Sequence, residues 1–187
     1  MVDVASHVRM PFRREGDVVA VLGVTRDELG ASEFLRAVRG RDEGPCPDVD
    51  LDHEKRLVDL LVTLAEKGVL SSAHDVSDGG LAVALAECAM REGRGAEIAL
   101  SDGLRRSALL FGESTGRAVV SFAPELEPEL REAAKARSIP LAVVGRVGGD
   151  RLRISVHGEM LVDEPVAELA HLWRTAFAHA IEAADVL

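Results

Sequence analysis

AHDVSDGGLAVALAE, running from Ala73 to Glu87, decides how this chain is read. A polar run with two adjacent glycines stops and a long apolar run begins. Val69 to Val76, which runs into this turn, reads as a strand. The residues from Gly79 to about Met90 have the length and alanine content of a helix. A strand, a tight turn and a helix in that order is the local unit of a sheet with helices packed on it. Nearly every side of the helix is apolar, so it is expected to be covered on more than one face.

The flanking sequence extends the same alternation. Asp17 to Val24 is a continuous apolar, β-branched run with the length of a buried strand. Ala31 to Gly40 reads as a short helix ending at the glycine, and residues 41–50 read as a surface loop because of their prolines and acids. Leu51 to Gly68 is a longer helix, with Leu57, Leu61, Leu64 and Ala65 on one face and Gly68 as its left-handed cap. Ala96 to Leu100 is a short strand, and Gly103 to Glu113 a short helical stretch. Arg117 to Ala123 is a strand, and Pro124 opens a helix to Ser138. Ile139–Val147 and Arg151–His157 read as strands joined by Gly148, Gly149 and Asp150, a hairpin signal. In the second, Leu152, Ile154 and Val156 alternate with Arg151, Arg153 and Ser155, which predicts one wet face. A long helix with Pro165 in its first turn closes the chain, its buried stripe expected at Val166, Leu169, Trp173, Phe177 and Ala180. The fold class is α/β (α+β): a single mixed β-sheet with packed helices. Residues 1–14 are expected to be a lead-in, and residues 15–187 one domain.

Bulk composition narrows the function. The chain has 187 residues, 47% apolar and 29% charged, a size and balance that suit one self-sufficient domain. Its 22 Lys and Arg against 32 Asp and Glu give a net charge of −10. That balance argues against nonspecific nucleic-acid binding and against anionic membranes. Aromatics are 3% and Tyr is absent, so a base-stacking platform is not expected. Cys46 and Cys88 are far apart and read as reduced thiols of a cytoplasmic protein. No run is long enough to span a bilayer, and the first ten residues lack the apolar core of a signal peptide. His7, His53, His157, His171 and His179 have no partners at metal-ligand spacing.

Two clusters carry potential chemistry. At the turn, His74 and Asp75 end the strand, Ser77 or Asp78 suits the helix cap, and Gly79 and Gly80 leave the first amides unshielded by side chains. A helix terminus contributes about 0.5–2 kcal/mol. Millimolar affinity needs about 4 kcal/mol, so the turn alone does not hold a phosphate. The second cluster is LFGESTGRAVV, Leu110 to Val120. There Glu113, Ser114 and Arg117 offer a carboxylate, a hydroxyl and a guanidinium suited to a ribose or phosphate. Each cluster is also, by itself, an ordinary capped helix or polar turn.

SAHDVSDGGLAVALAE and LFGESTGRAVV, with DVVAVLG upstream, resemble the final domain of the phosphoribosylformylglycinamidine synthase family. The DVSDGG turn is shared with aminoimidazole ribonucleotide synthetase, selenophosphate synthetase and hydrogenase maturation proteins. The resemblance covers nearly the whole chain. It implies one domain of a longer ATP-dependent C–N ligase that converts formylglycinamide ribonucleotide and glutamine-derived ammonia to the amidine. It implies ATP and Mg2+ for the full enzyme, ATP-binding N-terminal domains and a glutaminase component as partners, and a 187-residue chain inactive by itself. His74, Asp75, Ser77, Asp78, Gly79, Gly80, Glu113, Ser114 and Arg117 would line a ligand-bearing side without performing the chemistry. Thr115 and Gly116 depart from the family's longer polar residues there. The alternative is a stand-alone nucleotide-binding or scaffold module of the same fold.

Overall fold

The computed structural model describes residues 7–184. One mixed sheet organises them, with strands β1 (Val18–Leu22), β2 (Ser72–Asp75), β3 (Ala96–Leu100), β4 (Ala118–Phe122), β5 (Leu141–Val147), β6 (Arg151–Val156) and β7 (Glu159–Pro165). Their spatial order is β2-β4-β1-β5-β3-β6-β7. The helices are α1 (Glu33–Arg39), α2 (Leu51–Glu66), α3 (Gly80–Met90), α4 (Arg106–Phe111), α5 (Glu127–Ala136) and α6 (Val166–Ala184). A single 3-10 turn, Pro124–Leu126, leads into α5.

β1 lies inside the sheet between β4 and β5, and all five of its residues are buried. Its alternate side chains feed two separate cores. Val18, Ala20 and Leu22 join Leu57, Leu60 and Leu64 of α2 and Leu130 of α5. Val19 and Val21 join Leu81, Leu85 and Cys88 of α3 and Leu109 of α4 on the other face. The period-two alternation of a strand thus builds a three-layer arrangement, α2 and α5 on one side and α3, α4 and α6 on the other. The apolar helix α3 is covered by the sheet, α4 and α6 together, which explains why it has so little polar surface.

Several expectations need correction. The buried line of α2 centres on Leu57, Leu60 and Leu64, with Leu61 only partly buried, because α5 closes over the helix flank as well as the sheet. Strands β5 and β6 do not pair as a hairpin. β3 runs between them, antiparallel to β5 and parallel to β6. The Gly148–Gly149 turn instead straddles Gly95, exchanging backbone hydrogen bonds with it at 2.9 and 2.8 Å. A Cβ on Gly95 would collide with the Arg151 carbonyl, so the strand enters this gap only as glycine. The true hairpin lies one element later. His157 and Gly158 both adopt positive φ, 52° and 81°, and turn β6 into β7. β7 was not legible because its acids blur the alternation. Pro165 ends this edge strand, where its missing amide is harmless, rather than starting the helix.

The long final helix also departs from expectation. Val166 is buried and Leu169 partly so, but Trp173 and Phe177 are 59% and 76% exposed. The apolar stripe outruns the sheet that covers its first turns. Ala180 is exposed as well. Arg91 stacks on the Trp173 ring at 5.8 Å.

The alternation in β6 matches the reading, with Leu152, Ile154 and Val156 buried. Its other face carries a cross-strand ladder: Arg146 opposite Glu97, Glu97 opposite Arg153, and Arg153 opposite Asp163. Alternating charge on directly opposed positions suits a solvated sheet face. The Arg151 hydrogen bond holds the Asp163 carboxyl below the usual carboxylate range.

One buried charge runs against the fold. Asp17 is 3% exposed and its Oδ2 has no hydrogen-bond partner. Burial pushes its carboxyl above the ordinary value of 3.8, with Ser71 and Arg14 opposing the shift. A carboxyl raised in the folded state adds stability below its unfolded pKa and loses it as pH rises through the folded value. Asp17→Asn is therefore expected to melt higher than the parent at neutral pH. The gap should close as pH falls below the ordinary carboxylate range. Thermal melts across pH 3–8 (about that span) check this, and a parent that stays more stable at neutral pH rules it out.

Candidate functional site

The DVSDGG turn and the GESTGR segment meet in space. β2 and β4 are antiparallel neighbours, with Asp75 opposite Ala118. That register brings the exit of β2 beside the entry of β4. Val76 donates its amide to the Arg117 carbonyl at 3.0 Å and continues the pairing past the strand ends.

The helix start is not capped by Ser77 or Asp78. Gly79 occupies the cap position, with φ 80°, and receives no side-chain cap of its own. Its amide instead donates to Oε1 of Glu113 at 2.8 Å. The same oxygen accepts the amide of Glu33, the first residue of α1, at 2.9 Å. The anion that the exposed amides of this turn invite is thus an internal carboxylate. Gly80, φ 70°, is buried against the backbone of Phe111 and Gly112, where a Cβ would lie 2.7 Å from the Gly112 carbonyl oxygen. Gly80 serves close packing of α3 on the end of α4, whereas a Cβ on Gly79 would collide with Val83 one turn along α3.

Arg117 is equally engaged. It is 3% exposed. Its Nε donates to the Ser114 carbonyl at 2.8 Å, Nη2 to the Gly112 carbonyl at 2.6 Å and Nη1 to Thr25 Oγ1 at 3.0 Å. Burial lowers its pKa to about 10, with Glu28 opposing, so it remains cationic at neutral pH. Ser114 is fully buried, and its Oγ accepts the Arg26 amide at 3.0 Å. Thr115 donates to the Asp48 carbonyl at 2.7 Å, and His53 Nε2 lies 2.9 Å from the Gly116 carbonyl. GESTGR is a staple that holds four loops and helix ends to the sheet.

His74 and Asp75 sit at the rim. His74 Nε2 lies 2.9 Å from Glu87 of α3, and Nδ1 lies 3.2 Å from Asp75. The imidazole is largely covered while the Asp75 carboxylate is 74% exposed. Cys88, one residue on from Glu87, is buried, and its thiol is pushed up to about 12 by burial and then by Glu87 and Asp75. It is not a nucleophile at neutral pH.

Between α2 and the two motifs runs an open groove of about 720 Å³. His74, Asp75, Ser77, Asp78, Glu113 and Arg117 line it. Gly79, Gly80 and Ser114 lie behind its wall rather than in it. The opposite wall is α2, through Glu54, Leu57, Val58 and Leu61, and Met10 closes one end. Sequence reasoning missed this wall. The one signal was Val58, an apolar residue off the buried stripe and 55% exposed.

The donor set does not fit a triphosphate held by this chain alone. Four carboxylates line the groove, Glu54, Asp75, Asp78 and Glu113, and its one cation, Arg117, is buried in internal hydrogen bonds. Among the described residues no group of three or more His, Cys, Asp or Glu is placed to hold a metal ion, and no helix is long and apolar enough to cross a membrane.

Comparison with known proteins agrees with this architecture. Residues 14–157 match the family model described as AIR synthase related protein, C-terminal domain. The chain is 39% identical over 172 residues to the phosphoribosylformylglycinamidine synthase subunit PurL of Thermoanaerobacter sp. (strain X514), covering 92% of this chain and 24% of that protein. It is 35% identical over 184 residues to the PurL subunit of Alkaliphilus metalliredigens (strain QYMF), covering 98% of this chain and 25% of that protein. The chain thus spans about a quarter of the length of these curated relatives. Thermotoga maritima PurL complexed with FGAR shares the fold with a TM-score of 0.76 at 24% identity, over 89% of this chain and 30% of that one. A HypE-HypF complex does so with a TM-score of 0.60 at 20% identity, over 84% and 55%. With a family model matched across both motifs and strands β1 to β6, the chain belongs to the AIR synthase related protein, C-terminal domain family.

Proposed function

We propose that the chain is the C-terminal domain of a phosphoribosylformylglycinamidine synthase. That ATP-dependent C–N ligase of de novo purine biosynthesis converts formylglycinamide ribonucleotide and glutamine-derived ammonia to the amidine. The supporting observation is the 39% identity to a PurL subunit over 92% of this chain, a span that contains both motif clusters. The domain contributes the groove between α2 and the β2–α3 turn to a composite site. His74, Asp75, Ser77, Asp78 and Glu113 face the rest of the enzyme across it, and Gly79, Gly80, Ser114 and Arg117 hold that wall in shape. ATP-binding N-terminal domains, where ATP and Mg2+ are held, and a glutaminase component are the partners, in the cytoplasm. The groove's carboxylate-rich lining supports this division, since a polyanion needs donors from elsewhere.

The isolated chain is expected to be inactive. ADP production dependent on ammonia and formylglycinamide ribonucleotide is to be measured for this chain, for a synthetase lacking its last domain, and for the mixture. Activity in the mixture alone is the expected result. No rescue with both proteins folded would sink the proposal and favour a stand-alone nucleotide-binding or scaffold module without the ligase reaction, and turnover by the chain by itself would overturn its expected inactivity.

A further inference from the structure

We propose that the apolar stripe of α6, with the small pocket it forms against α3, docks an amphipathic helix that belongs to the rest of the synthase and carries carboxylates beside its apolar side chains. The inference rests on the reading of this chain as one domain of a larger enzyme, and it names what covers this surface. Apolar positions run down one side of α6 from Val166 and Leu169, which meet the core, through Trp173 and Phe177 to Ile181. Glu168, His171, Thr175 and His179 fall on the opposite side. Beyond the first turns the stripe is bare, with Leu172 62% and Phe177 76% exposed. A helix segment this short gains little from its own backbone in water, and a contiguous exposed apolar patch marks a contact surface. The family model matches residues 14–157 and ends before α6. The match to the Alkaliphilus metalliredigens PurL subunit covers 98% of this chain, α6 with it, and 25% of that protein. The helix therefore accompanies the domain in a synthase subunit, where about three quarters of the length lies outside the match and can meet it.

Charge gives the chemistry of the occupant. Between α6 and α3 lies a pocket of about 220 Å³, lined by Met10, Met90 and Trp173 and flanked by Arg91 and Arg174. Among the described residues neither arginine has a carboxylate partner, and Arg91 stacks on the Trp173 ring. The pocket's one carboxylate, Glu87, is held by His74 at 2.9 Å. Two unanswered cations beside the stripe, on a chain of net charge −10, are complementary to an acidic partner. The volume falls short of the roughly 300 Å³ of a small-molecule site and suits a side chain instead. α6 has bonded its own backbone internally, so a strand laid on it would leave amides and carbonyls unpaired. A helix packs there through side chains alone.

Trp173 is the chain's only tryptophan, so fluorotryptophan incorporated there gives one fluorine resonance that reports on the stripe. The full 187-residue chain is titrated with the synthetase lacking its last domain. A saturable shift of that resonance is expected. Leu172→Ala with Phe177→Ala should weaken binding at least about tenfold, and so should Arg91→Gln with Arg174→Gln. Val38→Ala with Val49→Ala, and Arg13→Gln with Arg39→Gln, remove exposed apolar groups and charge elsewhere and should stay within about twofold of the parent. A stripe or arginine pair that binds as the parent does overturns the proposal, as do control pairs that weaken binding equally. A shift that appears on concentrating the chain alone and vanishes in Phe177→Ala assigns the face to a second copy and also overturns it. Circular dichroism melts verify folding, and should a pair not fold, Phe177→Ala and Arg174→Gln decide singly, since neither side chain has an internal partner to lose. Should the truncated synthetase not fold, an amphipathic leucine–glutamate helical peptide takes its place, and a leucine–lysine peptide that binds equally well overturns the proposal. ADP rescue with the Trp173 resonance unmoved sinks the docking proposal only, and a saturable shift without rescue sinks the ligase reading only.

Discussion

Arg117→Ala is expected to cost about 3–5 kcal/mol of folding stability. The guanidinium holds the carbonyls of Gly112 and Ser114 and the hydroxyl of Thr25. Its loss strands two carbonyl oxygens in a place water does not reach, at about 1–3 kcal/mol each, and leaves a void besides. Arg117→Met keeps most of the volume and none of the donors, so it isolates the hydrogen-bonding part. Arg117→Lys keeps the charge but has a single nitrogen and no planar fork, so it should recover less than half of the loss. Urea unfolding of the three variants checks the order Ala, then Met, then Lys, from least to most stable. A ligand-contacting arginine would behave otherwise. All three proteins would then unfold with the parent's midpoint, and the structural role assigned to Arg117 would fail.

Glu113→Ala should cost about 2–3 kcal/mol, less than Arg117→Ala because the carboxylate is only partly buried. One oxygen of Glu113 joins the amides of Gly79 and Glu33, tying the start of α3 to the start of α1. Removing it frees the amides of two helix starts at once, and the helix dipoles then lack their nearest negative charge. Glu113→Gln retains an acceptor oxygen without the charge, so roughly half the loss should return. Hydrogen exchange supplies the local readout. The Gly79 and Glu33 amides should exchange faster in the alanine variant, while those of the central strand β1 stay protected. Unchanged exchange at both positions would refute the shared-carboxylate cap.

These two residues show what kind of information the chain carries in linear form. Local periodicity made the strand at Val18–Leu22, the helix at Leu51–Glu66 and the strand–turn–helix at Ser72–Met90 legible. Each depends on contacts between near neighbours in sequence. The alternation in Arg151–Val156 likewise predicted its wet and dry faces. The paired motifs pointed to one site, and the fold does bring them together through the β2–β4 register.

Composition and periodicity by themselves therefore determined a mixed sheet with packed helices and the places of most elements, while the polar motifs supplied one wall of the groove and not the α2 wall opposite it. Tertiary structure alone decided which strands are neighbours. The Gly148–Gly149 signal has the local chemistry of a hairpin, yet β3 enters between its arms, because Gly95 lets its backbone lie against Arg151 where a side chain would collide. Tertiary structure alone also decided what the polar residues are for. Glu113 and Arg117 have the chemistry of ligand contacts, but the distant amides of Glu33 and Gly79 and the distant Thr25 hydroxyl, together with the nearby carbonyls of Gly112 and Ser114, reach them first. And the stripe on α6 has core periodicity, while only its first turns meet the sheet. A side chain's donors and acceptors are written in the sequence. Whether protein or solvent meets them depends on contacts across long chain separations, which no local pattern encodes.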